Sequence, residues 1–210
     1  VAYVDYEIDM VYGLDDLVIQ TTTNGVTIIT DEFGNSETVT YFNQIIDLVY
    51  DNEGRVVQTT TNGRVHTEDN YGNVEDVVYS NYVVDMTYDH YDLVIQTITN
   101  GVTTSTDEFG NTETMTYVNQ VVDLVYDPET GNVIQTTTNG HVIAEDNYGN
   151  IEDVVYISYV VAMVYGIKNL VVQTTTNGIM VVTDESGNTE TTRFIHYIVD
   201  LIYGEEDRVV

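Results

Sequence analysis

Apolar and polar side chains alternate along this chain with a period of two. Ile46, Leu48 and Tyr50 fall on one face of a segment and Asp47 on the other; beyond the next turn, Val57 and Thr59 continue the first face and Gln58 the second. A period of two sends successive side chains to opposite faces of a pleated ribbon, so the pattern predicts half-buried β-strands. Short clusters of Asp, Asn, Glu and Gly interrupt the alternation and mark turns.

The pattern repeats. The segment Val-(Ile/Val)-Gln-Thr-(Thr/Ile)-Thr-Asn-Gly begins at Val18, Val56, Val94, Val133 and Val171. Residues 1–210 therefore read as one continuous array of about five 38-residue units, starting near positions 7, 45, 83, 121 and 160, with a partial unit from 197. Each unit reads as four short strands. In the second, Ile45–Tyr50 and Arg55–Thr61 flank the turn Asp51-Asn52-Glu53-Gly54. Asn62-Gly63 then predicts a type I′ hairpin turn, whose two central positions both need φ > 0. Two more strands, about 64–68 and 74–79, flank Asn70-Tyr71-Gly72-Asn73. Units one, three and five carry Asp-Glu-(Phe/Ser)-Gly-Asn at Asp31, Asp107 and Asp184, whereas units two and four carry Glu-Asp-Asn-Tyr-Gly-Asn at Glu68 and Glu145. A double unit thus alternates along the array.

Register follows from the turns. A four-residue turn after Tyr50 sets Tyr50 opposite Arg55 and hence Asp47 opposite Gln58. The same construction pairs Asp9 with Gln20, Asp85 with Gln96 and, across a turn one residue longer, Asp123 with Gln135; in the fifth unit Ala162 faces Gln173. These pairs are expected to be cross-strand hydrogen bonds on a solvated face, with a ladder of ligand-binding carboxylates as the competing reading.

Tyr50-Asp51-Asn52-Glu53-Gly54-Arg55 resembles the Tyr-Asp-x-x-Gly-Arg turn of the RHS or YD repeat family, and other copies match it in part, as in Tyr88-Asp89-His90-Tyr91-Asp92. The resemblance implies a long curling sheet of recurrent hairpins. No segment resembles that family's self-cleaving core or toxin region, so only architecture carries over.

The expected fold is an all-β antiparallel meander, open at both ends. A five-bladed β-propeller is the alternative for units of this size. It is disfavoured because Val1–Asp16 aligns with about 191–207, so the ends overlap where a closed ring needs them to complement each other. A second copy beginning at Val1 would enter in phase with the half-unit, which points to head-to-tail stacking through exposed edge strands.

Composition narrows the partners. Thirty-five acidic residues against five basic ones give a formal charge of −30. Phosphate-backbone recognition needs clustered Lys and Arg, so nucleic acid is not expected as a partner. The longest apolar stretch, around Tyr159–Tyr165, is too short to span a bilayer as a helix, so membrane insertion is not expected. Cysteine is absent, and His66, His90, His141 and His196 are scattered. The serines lack a nucleophile elbow or a paired histidine, and no phosphate-binding loop is present, so no enzyme is expected. Calcium is the small partner that suits the acidic turns best: Asp31, Glu32, Asp107, Glu108, Asp184 and Glu185 offer hard oxygen ligands on Gly-bearing loops. Plain turn formation by the same residues is the competing explanation. The expected role is structural, in an extracellular or cell-surface protein that self-associates into filaments or a fibre; the alternative is a lectin-like propeller that binds carbohydrate.

Overall fold

The computed structural model describes residues 1–31, 34–166 and 170–201. These form eleven strands: β1 (Ala2–Tyr12), β2 (Val18–Thr30), β3 (Ser36–Tyr50), β4 (Val56–Asp69), β5 (Val74–Tyr88), β6 (Val94–Asp107), β7 (Thr112–Tyr126), β8 (Val133–Asp146), β9 (Ile151–Tyr165), β10 (Val171–Asp184) and β11 (Thr189–Asp200). They make one open antiparallel sheet in chain order. At about 4.8 Å per strand the sheet is roughly 48 Å wide. The open all-β meander expected from the sequence is therefore present, and the five-bladed propeller is not, because a single continuous sheet has no separate blades.

Each unit contains two long strands rather than four short ones. The reason lies at Asn-Gly, which sits in the middle of every even strand after β1 instead of at a hairpin turn. Odd strands carry a matching bulge. In β3, Phe42 still faces Arg64, but Ile45 faces Asn62, so β3 uses an extra residue to pass Gly63. The bulge residues Asp5, Asn43, Asn81, Asn119, Ser158 and His196 all take left-handed backbone, with φ between 45° and 51°. A bulged residue leaves the ladder with its N–H unpaired. Here the side-chain carbonyls of Asn24, Asn62, Asn100, Asn139 and Asn177 accept the N–H of the next strand's bulge residue at 2.8–2.9 Å. The following glycine serves the strand on the other side. A Cβ on Gly101 would stand 2.3 Å from the Asn81 carbonyl oxygen and 2.6 Å from the Tyr82 Cα. Asn holds one neighbour and Gly admits the other, so the bulges line up into a crease that crosses the sheet at right angles to the strands.

The crease sorts the faces. Tyr79 and Tyr82, on either side of the β5 bulge, meet edge-on with ring centroids 5.9 Å apart, while Ser80 and Asn81 between them are exposed. Tyr79, Tyr82, Val84, Met86 and Tyr88 share one face. Thr99 lies opposite Val84 and Thr103 opposite Tyr79 on that same face. Every residue that reaches burial, Thr23, Thr27, Thr99, Thr176 and Val142, belongs to this tyrosine face. The opposite face carries the Asp and Gln positions.

Among the described residues no second layer covers either face. Strands contact only their sequence neighbours. The accessible surface is 13023 Å². A compact chain of this mass would show about 9,800 Å². Stability consequently rests on ladder hydrogen bonds and neighbour-to-neighbour side-chain contacts, not on a central core.

Two glycine substitutions separate the crease from the turns. Gly101→Ala is expected to cost about 3 kcal/mol or more, because the methyl group meets backbone as well as an unfavourable φ. Gly110→Ala, at φ 80° with nothing within 4 Å of a new Cβ, is expected to cost about 1 kcal/mol. Urea denaturation of the two variants in parallel measures the difference, and equal losses would refute the crease as a packed feature.

Candidate functional site

Three sets of polar residues recur with the strands: the turn carboxylates, an Asp–Gln ladder, and the few cations. The turn carboxylates are built the same way at each even-to-odd connection. In Asp107–Asn111 the Asp107 N–H bonds the Asn111 carbonyl oxygen at 3.0 Å, closing the loop. Asp107 Oδ1 accepts the N–H groups of Phe109 and Asn111, and Oδ2 accepts the Asn111 side-chain amide at 2.7 Å. Asp69, Asp146 and Asp184 repeat this set with Asn73, Asn150 and Asn188. Asp31 is bonded to Asn35 in the same manner. Hydrogen bonds to an ionised carboxylate favour its charged form. The side-chain amide of the i+4 asparagine, together with the turn N–H groups, holds Asp69, Asp107, Asp146 and Asp184 below the ordinary carboxylate range.

Of the six residues read as calcium ligands, Asp31, Asp107 and Asp184 are thus acceptors within their own turns. Glu108 and Glu185 point into solvent. Glu32 lies outside the described residues. Among the described residues no three His, Asp or Glu side chains converge where a metal ion could sit. The same rim nevertheless concentrates charge, since Glu37 faces Asp69, Glu75 faces Asp107, Glu113 faces Asp146 and Glu152 faces Asp184. Like charges directly opposite each other oppose sheet formation.

The Asp–Gln ladder exists, but its members are paired differently from the sequence-based register. Gln20 donates to Asp47 at 2.6 Å, Gln58 to Asp85 at 2.6 Å, Gln96 to Asp123 at 2.7 Å and Gln173 to Asp200 at 2.7 Å. Each Gln thus reaches forward to the next strand. Asp9 faces Thr22 rather than Gln20, Asp47 faces Thr60 rather than Gln58, Asp85 faces Ile98 rather than Gln96, and Asp123 faces Thr137 rather than Gln135. Two offsets account for the correction. The turn closes between Asp51 and Arg55, so Tyr50 faces Val56, and a second bulge then skips Val57. The sum is a slip of two residues, which preserves the face of every side chain. Gln135 is the exception, because Ala162 stands where its partner belongs.

The cations are placed against particular acids. Arg64 makes a forked pair with Asp76, at 2.6 Å and 2.5 Å, and lies over the Phe42 ring with 5.1 Å to its centroid. This pair depresses the Asp76 carboxyl. His66 Nδ1 lies 3.3 Å from the same carboxylate. One double unit later His141, standing in the place of Arg64, bonds Asp153. Arg55 bonds Asp51 at 2.8 Å and Asp92 at 2.9 Å, lies 2.8 Å from Glu53, and covers the Tyr88 ring at 4.9 Å from its centroid. The sequence alone did not reveal these clusters. The signal available was that Asp76 and Asp153 follow Arg64 and His141 at the same interval of twelve residues.

Along the crease the tyrosines form a second row: Tyr82 touches both Tyr79 and Tyr117 edge-on, and Tyr159 touches Tyr156 and Phe194 in the same way. Burial, reinforced by neighbouring hydroxyls, raises the Tyr82 and Tyr156 phenols above their ordinary value. Compared with known proteins, the chain matches no protein-family model and shows no significant similarity to a curated protein.

Two outcomes are expected. Gln96→Ala removes the donor to the part-buried Asp123 and should lower stability by about 1 kcal/mol more than Gln135→Ala, which has no partner to lose; thermal melts give the comparison directly. A carboxyl held below its ordinary 3.8 favours folding above that value and loses the contribution as pH falls through its depressed one. Asp107→Asn should therefore destabilise the chain at neutral pH and converge on the wild type as pH is lowered well under 3.8. A difference between the two proteins that stays constant across acid titrations would remove the turn carboxylate from this account.

Proposed function

We propose that this chain is a structural protein, outside the cell or at a cell surface, whose sheet is extended by further copies joined head to tail into filaments or a fibre. The observation that carries this reading is the single-layer sheet in which each strand contacts only its sequence neighbours. Such an array is additive: every strand pair supplies the same interface to the next, and nothing in the geometry limits the number of pairs. The large accessible surface and the recurrence of each polar set also favour scaffold over reaction centre.

The charge sets the condition for assembly. A formal charge of −30 on each copy repels the next, and the facing acid pairs along one rim concentrate that repulsion. Divalent cations bridging or screening those pairs would relieve it, which keeps calcium in the proposal as an assembly partner rather than as an occupant of a closed cage.

Sedimentation velocity over a range of protein concentrations, with electron microscopy of the same samples, tests the reading. Species that grow with concentration, and grow further in millimolar calcium than in sodium chloride of equal ionic strength, are the expected result. A monomer under every condition would overturn it.

A further inference from the structure

One rim repeats part of the arrangement around Arg55, with a leucine in the arginine's place. Arg55 is held by four features. Asp51 Oδ2 takes its side chain, the Tyr88 ring lies beneath its guanidinium, Tyr88 is fixed by a hydrogen bond of 2.7 Å from its hydroxyl to the Val56 carbonyl oxygen, and the next turn adds Asp92 and the Asp89 carbonyl oxygen. Two strands further along, Asp89 stands for Asp51 and Tyr126 for Tyr88, and the Tyr126 hydroxyl bonds the Val94 carbonyl oxygen at the same 2.7 Å. The next turn again supplies acids, Asp127 and Glu129. The arginine is replaced by Leu93, Glu53 by Tyr91 and Asp92 by Gly131, while the first turn carboxylate, the ring and the hydroxyl bond that fixes it are kept.

That replacement leaves a specific vacancy of bonding. Asp89 Oδ1 is used as at Asp69, Asp107 and Asp146, accepting the N–H groups of the second and fourth residues on, Tyr91 and Leu93, at 2.8 and 3.0 Å. Its Oδ2 receives no donor from the described residues, whereas the equivalent oxygen takes an asparagine amide at Asp69, Asp107, Asp146 and Asp184, and Arg55 at Asp51. A cleft of about 500 Å³ opens at this position; Leu93, Ile95, Leu124, Tyr126, Tyr91 and Pro128 line it together with Asp89 and Asp127. Apolar walls suit the aliphatic stem of an arginine, the ring face suits a planar cation, and the unmatched carboxylate oxygen suits its N–H groups.

We infer that this cleft binds the guanidinium of an arginine presented by a partner peptide, in the pose that Arg55 adopts within the chain. The occupant is a basic segment of another protein: its arginine stem lies along Leu93 and Leu124, its guanidinium covers Tyr126, and its N–H groups bond Asp89 Oδ2 and the Asp127 turn. Lysine fits less well, because an ammonium group cannot stack its plane on the ring or offer a fork to a carboxylate. The inference does not depend on polymerisation.

Fluorescence anisotropy with a labelled Gly-Ser peptide carrying one arginine, at about 0.15 M salt to screen exposed charge, tests it. Matched peptides with lysine or with citrulline in place of the arginine complete the probe set. The arginine peptide should bind the wild-type chain more tightly than the lysine peptide, and the neutral citrulline peptide should not bind measurably. Tyr126→Leu should weaken arginine binding by about two- to fivefold through loss of the ring face. Leu93→Arg fills the cleft from within and should abolish binding, whereas Thr87→Arg, which adds the same charge on the exposed opposite face, should leave it nearly intact. Circular dichroism of each variant verifies the sheet. Equal binding of the lysine and arginine peptides, or equal losses in Leu93→Arg and Thr87→Arg, would assign the attraction to net charge alone and overturn the inference.

Discussion

The fold depends on one hydrogen bond repeated across the sheet, from the backbone N–H of a left-handed bulge residue to the side chain of an asparagine in the preceding strand. A bulge in one strand of an antiparallel pair is a local irregularity. A bulge in every second strand, at the same height, is sustained only if each displaced N–H finds an acceptor and each intruding carbonyl finds room. Asn and Gly meet these two demands in adjacent positions. Asn62 holds Asn81 in the following strand, while Gly63 admits the Asn43 carbonyl of the preceding one. The requirement passes from strand to strand, which is why the dipeptide recurs without change while the residues it holds range from Asn to Ser and His.

Once the crease is fixed, the rest of the side-chain distribution follows. Tyrosines on either side of the bulge meet in edge contact, and threonines on the same face settle between larger neighbours, becoming most of the buried residues of a sheet without a core. Val and Tyr positions on odd strands and Thr positions on even strands thus divide the work of packing. The other face is left to hydrogen-bonded Asp and Gln, and the turns to carboxylates that close their own loops. Charge is tolerated because it is placed at rims and on a solvated face, where water competes with repulsion.

The sequence disclosed the class of fold, the period of the array and most turns, because alternation and Asp-x-x-Gly clusters report local geometry. It disclosed the faces as well: Asp47 and Gln58 do share one, although each is bonded to a different strand. Asn62-Gly63 reads as a hairpin turn in the sequence for a physical reason. Positive φ at glycine serves a tight hairpin and a bulge-facing strand position equally, and only the neighbouring strand tells them apart. The register slip had the same origin, since a bulge at Val57 leaves no mark in composition. The arrangement around Arg55 was illegible for a different reason. It joins residues from two strands and two turns, and its counterpart at Leu93 becomes visible only when the two positions are superposed in space.

The direction of the strands relative to the array has a mechanical consequence. Load applied between the first and last strands runs across the strands and falls on one ladder at a time, so its hydrogen bonds open by peeling rather than by sliding together. Each strand and its turn would release about 65 Å of contour length at roughly 3.4 Å per residue, while the strands beyond it remain paired. The array is built as a row of similar extensible elements in series: it yields by small increments and re-forms by local pairing, a compliance set by the number of strands rather than by the strength of any one contact.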